Sequence, residues 1–292
     1  LNRREAVDSS QIEGTRTGMN ELWLEELEAE GRRVENADVQ EVRNYIQALE
    51  YGIQRLADLP LSLRLVREVH ARLMQGVRGE HATPGEFRRS QNWIGPAGST
   101  LSTAPYVPPP PDELMPALDN WEKFLHLRDV FPDLIQCAVL HEHFEALHPF
   151  LDGNGRVGRL LISLFLIERA RLSQPLLYLS SYFETKRQDY YDLLQRVRTH
   201  GEWEQWIIYF LNGVSETSRQ ALEQTSRLMD LREGYRQALK DQPRALNLID
   251  PLLENPYLTA ARAEEILQVS HPTARKAIAA LANAGIVEEI TG

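Results

Sequence analysis

Between positions 148 and 159 the chain reads His-Pro-Phe-Leu-Asp-Gly-Asn-Gly-Arg-Val-Gly-Arg. A base (His148), one carboxylate (Asp152), an amide (Asn154) and two guanidinium groups (Arg156 and Arg159) stand among glycines. Gly153, Asn154 and Gly155 reach left-handed backbone angles at little cost, so successive N–H groups can turn inward as a nest for phosphate oxygens. Arg156 and Arg159 are three apart and project from one face of a helix. Paired guanidinium forks suit a polyphosphate better than a single carboxylate does. Asp152 is the lone acid, which is how Mg²⁺ is commonly shared with phosphates. A histidine titrates near neutrality, so His148 can take a proton from an attacking hydroxyl. Together these residues fit a nucleotide-triphosphate site without a Walker lysine.

Such a loop has to be held from both sides. The segment 157–170 that follows it is too apolar for a surface helix, so it is expected in the middle of a bundle, with its orphan N–H groups and positive dipole end at the loop. Residues 132–147 before it are helical by period. There His141, Glu145 and His148 lie four and three apart, an alternative ligand set for a transition metal with Asp152 close by. The order His-Glu-His-Phe-Glu is not the metalloprotease pattern, and a hydrolytic metal has no use for the glycines and arginines. His141 is therefore expected to hydrogen-bond within the core.

The stretch 148–159 also resembles, without a gap, the signature His-Pro-Phe-x-Asp-Gly-Asn-Gly-Arg-x-x-Arg of the Fic (filamentation induced by cAMP) family. The resemblance implies an all-α fold, a Fic-type helical bundle with a small β-hairpin flap, that transfers AMP from ATP to a protein hydroxyl and releases pyrophosphate. It implies His148 as general base, with Asn154, Arg156 and Arg159 as the other catalytic groups. Asp152 would be the Mg²⁺ ligand, and Gly153, Asn154 and Gly155 the anion hole. The two arginines would hold the β- and γ-phosphates, and Phe150 would anchor the loop beside Leu151. Near the start, Ser9-Ser10-Gln11-Ile12-Glu13-Gly14 resembles the family's inhibitory motif, Ser/Thr-x-x-x-Glu-Gly/Asn. The implied role is for Glu13 to pair with Arg159 and leave the γ-phosphate no place, with Ser9 and Gly14 completing the motif. In relatives the region around Lys186 lines the adenine end, usually with an asparagine, so Lys186 stands there as a departure from the pattern. The implied partners are ATP, Mg²⁺ and a hydroxyl-bearing protein, which the chain itself could supply. Transfer of another group, or removal of AMP, stays open.

The remaining chain supplies the frame. Apolar periods mark helices at 3–14, 21–31, 36–59, 61–74 and 112–127, with a glycine- and proline-rich stretch from 76 to the run Pro108–Pro111. By the resemblance, that stretch is the flap, which pairs with the target's main chain. Residues 175–183, a helix from 189 and another from Trp203 come next, then a polar helical connector. Thr259 caps a helix to 267, a turn at 269–271 leads into a helix from 272 to 281, and 285–290 looks like the start of a wing strand. This end resembles a winged helix-turn-helix, with His271, Thr273, Arg275 and Lys276 as the candidate DNA contacts. Residues 255–292 hold three basic and four acidic side chains, a poor footprint for DNA, so a partner protein or a second copy is an equal expectation. The expected divisions are 1–60 (inhibitory helices), 61–215 (catalytic core), 216–245 (connector) and 246–292 (winged helix).

Composition agrees with that frame. The 292 residues suggest about two domains on a prior of roughly 150 each, and 42% hydrophobic content supports a sizeable core. A net charge of −10 argues against a general nucleic-acid binder. The single cysteine, Cys137, lies in an apolar run, so a core thiol and a cytoplasmic, reducing setting are expected. No apolar run of about 18 residues points to a membrane span. The first residue is leucine rather than methionine, so residues upstream are expected.

Overall fold

The computed structural model describes residues 2–28, 36–77, 82–96 and 98–290. Among them the chain forms α1 (Asn2–Ile12), α2 (Met19–Glu28), α3 (Ala37–Arg55), α4 (Leu63–Leu73), α5 (Pro111–Leu125), α6 (Asp133–Leu147), α7 (Asn154–Glu168), α8 (Leu179–Thr185), α9 (Arg187–His200) and α10 (Trp203–Ala238). The short α11 (Pro243–Leu246) and α12 (Ile249–Glu254) lead to α13 (Ala260–Leu267) and α14 (His271–Asn283). The fold is all-α. Among the described residues the expected flap is reduced to one antiparallel bridge, Ile94 with Tyr106. None of the described helices is long and apolar enough to cross a membrane.

Two compact units divide the chain. One holds Asn2–Thr17 and Asn36–Ser218; the other holds Gly18–Glu35 and Arg219–Gly292. The grouping of residues 1–60 expected from sequence is thus split. The reason is local: Leu22 is fully buried, and Asn255 donates from its side-chain amide to the carbonyl of Trp23 at 3.0 Å. Part of the helix expected over 21–31 lies outside the described residues. The connector is not a separate element either, because α10 runs unbroken from the aromatic segment through residue 238.

In the first unit α7 is the central rod. Leu160, Leu161, Ile162, Leu164, Phe165 and Leu166 are all buried, so the helix has no solvent-facing stripe over that stretch. Next to it, Phe183 stacks on Tyr190 with centroids 4.5 Å apart, and Trp206 donates its indole N–H to Ala138 O at 2.9 Å. His141 sits among these rings with both nitrogens used, Nδ1 on Gly158 O (3.1 Å) and Nε2 on Tyr190 Oη (2.8 Å). That leaves it no lone pair for a metal, and burial pushes its pKa down to about 3. Cys137 is buried, and burial raises its thiol well above the ordinary value.

The second unit packs Leu239, Leu248, Ile249, Ala263, Ala274 and Leu281 into a small core. Thr259 Oγ1 caps α13 by accepting from Arg262 N at 3.1 Å, and Gln268 turns the chain with φ 52°. Residues 286–290 are not in a strand, unlike the expected wing. A strand needs a facing row of N–H and C=O groups, and the described residues supply none there.

Helix α1 carries Glu5 and Ser9 four residues apart on a face turned inward rather than to solvent. Glu5 is buried; Ser180 gives it both its backbone N–H (3.1 Å) and its hydroxyl. Burial raises the Glu5 pKa to about 8 although the Ser180 bonds pull it down. Between about pH 4.5 and 8, therefore, the folded chain holds a proton that the unfolded chain has released. Glu5→Gln is expected to gain stability on the wild type as pH rises through that window, by up to about 1.4 kcal/mol per unit, and to level off above it. Urea titrations at both ends of the window check this; a constant difference would contradict it.

Candidate active site

The motif opens where α6 stops. His148 caps that helix in the left-handed region (φ 46°, ψ 58°), a conformation that costs a non-glycine residue roughly 1–2 kcal/mol, and donates its N–H to Phe144 O at 3.0 Å. Its carbonyl accepts from Arg88 Nε (3.0 Å) and Asn92 Nδ2 (3.2 Å). The imidazole Nδ1 is buried. Burial depresses the His148 pKa to about 4, Arg198 lowers it further, and Glu13 pulls the other way. At neutral pH the ring is an uncharged base.

Phe150 pins the next turn. Its buried ring stacks on His70 at 3.7 Å with planes 2° apart. His70 accepts the Gly85 N–H on Nδ1 (2.7 Å), so its Nε2 donates to Asp152 O (3.0 Å). Asn154 closes the loop on itself. Its Oδ1 accepts from Phe150 N and its Nδ2 donates to Phe150 O, both at 2.8 Å. The amide is thus spent on the loop's shape, and only its backbone N–H remains for an anion. Gly153 supplies the left-handed cap (φ 76°), and its N–H bonds Asp152 Oδ1 at 2.6 Å. The first ladder bond is Val157 N to Gly153 O, so the N–H groups of 154–156 stand ahead of the ladder at the positive end of α7. Leu151 is exposed at the crest of this turn.

The two arginines part company. Three residues apart on a helix they lie about 60° apart, enough for each to meet a different element. Arg156 turns to α3, where Glu41 Oε2 accepts from it at 2.9 Å with both side chains almost fully buried. Arg159 turns to α1. Its Nε donates to Ser9 Oγ (2.9 Å), and its Nη2 reaches Ser9 O (2.9 Å) and Glu13 Oε1 (2.6 Å). Burial works against the Glu13 charge, but Arg159, then Arg156 and His148, outweigh it and hold the carboxyl below its ordinary pKa. Gly14 follows with φ 97°. The Glu13 carboxylate lies directly over Gly155, so close that any β-carbon there would strike it. An anion therefore already occupies the mouth of the N-terminal cradle, and it belongs to the chain.

The Lys186 ammonium sits 3.9 Å from the Tyr182 ring centroid and 3.5 Å from Glu216. Sequence reasoning missed Glu41, His70, Arg88 and Asn92. Of these only the segment containing Arg88 and Asn92 stood out, by its glycines and prolines.

Residues 60–166 match the Fic/DOC family, and residues 1–54 match the Fic/DOC family N-terminal region. The chain is 29% identical over 170 residues to a protein of Aedes aegypti named protein adenylyltransferase Fic, covering 58% of this chain and 30% of that one. It is 29% identical over 181 residues to a probable protein adenylyltransferase of Aquifex aeolicus, covering 59% and 50%. It thus spans half or less of the length of these relatives. Among solved structures, a Fic family protein from Desulfovibrio desulfuricans aligns over 97% of this chain and 79% of its own, with TM-score 0.66 and 20% identity. A Fic domain containing signaling protein from Bacteroides thetaiotaomicron gives TM-score 0.60 at 20% identity over 76% and 84%. At such identities the likeness is one of fold.

Histidine-resolved NMR should find His148 and His70 neutral through the range of about pH 5 to 8, where an ordinary imidazole titrates. A His148 midpoint near 6.5 would contradict the burial and charge argument.

Proposed function

Since the chain belongs to the Fic/DOC family, we propose that it transfers the AMP group of ATP to a Ser, Thr or Tyr hydroxyl of a protein and is held in check by Glu13. The observation that carries this reading is the Glu13–Arg159 contact at 2.6 Å, made over the N-terminus of α7 next to an uncharged His148. A carboxylate and a phosphate compete for one guanidinium fork, so the arrangement is that of a nucleotide site closed by an internal anion. The names of the relatives support the same activity.

In the proposed reaction His148 takes the hydroxyl proton as the oxygen attacks the α-phosphate in line. The bond from the α-phosphorus to pyrophosphate breaks on the opposite side. The N–H groups at the start of α7 and the Arg159 fork, once Glu13 has left it, receive the charge on the leaving group. Arg156, tied to Glu41, braces the first turn of α7 against α3.

The donor set at the loop is compatible with a phosphate-bound cation. Asp152 is half-buried, one of its oxygens is engaged by Gly153 N–H, and no group of three or more His, Cys, Asp or Glu residues gathers among the described residues. Mg²⁺ would therefore be held by Asp152 together with phosphate oxygens and would offset the charge of the triphosphate.

The α13–α14 pair is proposed as the helical part of a winged-helix module that docks a partner protein or a second copy. A DNA-reading regulator is the other reading, favoured by the exposed Arg275 and Lys276. His271 is already paired with Glu264, which weakens it. Salt-sensitive gel shifts without ATP turnover would decide for the regulator. A cytoplasmic site of action, on the buried thiol of Cys137, belongs to the same proposal.

Incubation with labelled ATP tests the enzyme reading. A charge-assisted bond is worth about 1.5–3 kcal/mol, so Glu13→Gly is expected to raise labelling about 10- to 100-fold. Adding His148→Ala to it should cut transfer by about 10²–10⁴-fold while nucleotide still binds. Unchanged labelling in Glu13→Gly would remove the inhibitory role, and full transfer without His148 would end the mechanism.

A further inference from the structure

Arg88 is buried, yet the acceptors that surround its guanidinium are carbonyl oxygens rather than a carboxylate. Nε donates to His148 O at 3.0 Å, and Nη2 donates to Leu147 O at 3.3 Å and to Pro109 O at 2.6 Å. Nη1 donates to Ser90 O at 3.3 Å, and the Arg88 backbone N–H donates to Pro149 O at 2.9 Å. Leu147 and His148 are the last carbonyls of α6, which lack ladder partners and carry the negative end of the dipole, so the cation has a favourable seat there. Burial nevertheless pulls its pKa below the ordinary value.

The other two carbonyls have a common feature. Ser90 and Pro109 flank the segment 91–108, which contains the Ile94–Tyr106 bridge. Further bonds run the same way. Asn92 Nδ2 reaches His148 O and Phe150 O (3.0 Å), and Tyr106 Oη donates to Ala146 O at 3.1 Å. The carbonyls of 146–150 are therefore a rail that holds the described part of that segment, and among the described residues Arg88 is the one side chain whose hydrogen bonds grip both the rail and the two roots.

We infer that Arg88 is a positioning residue for the transfer reaction: one planar fork fixes the left-handed turn that carries His148 and, with it, the two roots of the 91–108 segment. It works through His148 rather than on the reacting atoms. The inference rests on the reading of His148 as the base. Only a guanidinium offers donors in fixed directions for this many carbonyls; a lysine ammonium is a point charge with three donors.

The test uses the Glu13→Gly chain as parent, with Arg88→Lys and Arg88→Ala made in it. In Arg88→Lys, ATP affinity by calorimetry is expected to stay within about threefold of the parent, while AMP transfer falls by about 10²-fold, the loss that follows a misplacement of roughly 1 Å. The imidazole signals of His148 should shift in the same variant, and those of His141 should not. Adding millimolar guanidinium to Arg88→Ala should restore transfer several-fold, and methylammonium should not. Full transfer in Arg88→Lys overturns the inference, as does parallel loss of nucleotide binding and transfer, which would leave Arg88 a role in folding alone. If the parent itself transfers nothing, the enzyme reading fails. The His148 signals still decide this inference, since unmoved signals in Arg88→Lys sink it without any turnover.

Discussion

A guanidinium taken out of water has to be met by an anion or by well-placed dipoles, because the cost of leaving it unmet is several kcal/mol. Arg159 is only 1% exposed, on the first turns of a helix whose own dipole already makes the place positive. Ser9 supplies two acceptors, but they are neutral, and Glu13 supplies the charge. On the proposed reading, the state of the site is set by which anion fills that position. Arg156, three residues earlier, shows the contrast. Its partner Glu41 is 2% exposed and lies in α3, so that pair is part of the frame. Glu13 stands just past the end of α1 with its side chain 33% exposed, so a competing anion can reach the contact from solvent. On the proposed reading, one ion pair is a brace and the other is a replaceable plug.

A replaceable plug is useful only if its socket keeps its shape when the plug leaves. Several devices serve that end. The α7 rod is buried on every side, which leaves its N-terminus little freedom to tilt. Asn154 ties the loop to Phe150, Phe150 stacks on His70, and His70 bonds back to the loop at Asp152. His141 joins α6 to α7 and α9 through its two nitrogens.

The legibility of each feature in the chain depends on the distance over which its signal acts. The loop and its base were legible because the twelve residues are contiguous and their types are chemically specific. The helices over 37–55 and 63–73 were legible because Val39, Val42, Tyr45, Leu49 and then Leu63, Val66, Val69, Leu73 repeat at helical spacing, and all are buried. Glu13 came through a resemblance, not through any local rule. Glu41 and Arg156 are 115 residues apart, and a glutamate on a charged helix announces nothing about such a partner. Glu5 belongs to the same class: on paper it is one more acid in a polar helix, and only its burial against a segment 175 residues away, at Ser180, lets it keep a proton. The expected wing had apolar residues but no partner row, and pattern alone carries no information about pairing.

The exchange of anions on Arg159 is the claim on which the account stands. It is tested most directly by solving the Glu13→Gly chain with a non-hydrolysable ATP analogue. The account predicts that the γ-phosphate occupies the place of the missing carboxylate, within hydrogen-bonding distance of the Arg159 fork, with the other phosphates over the N–H groups of 154–156. A triphosphate bound elsewhere, with Arg159 still held by Ser9 alone, would contradict it.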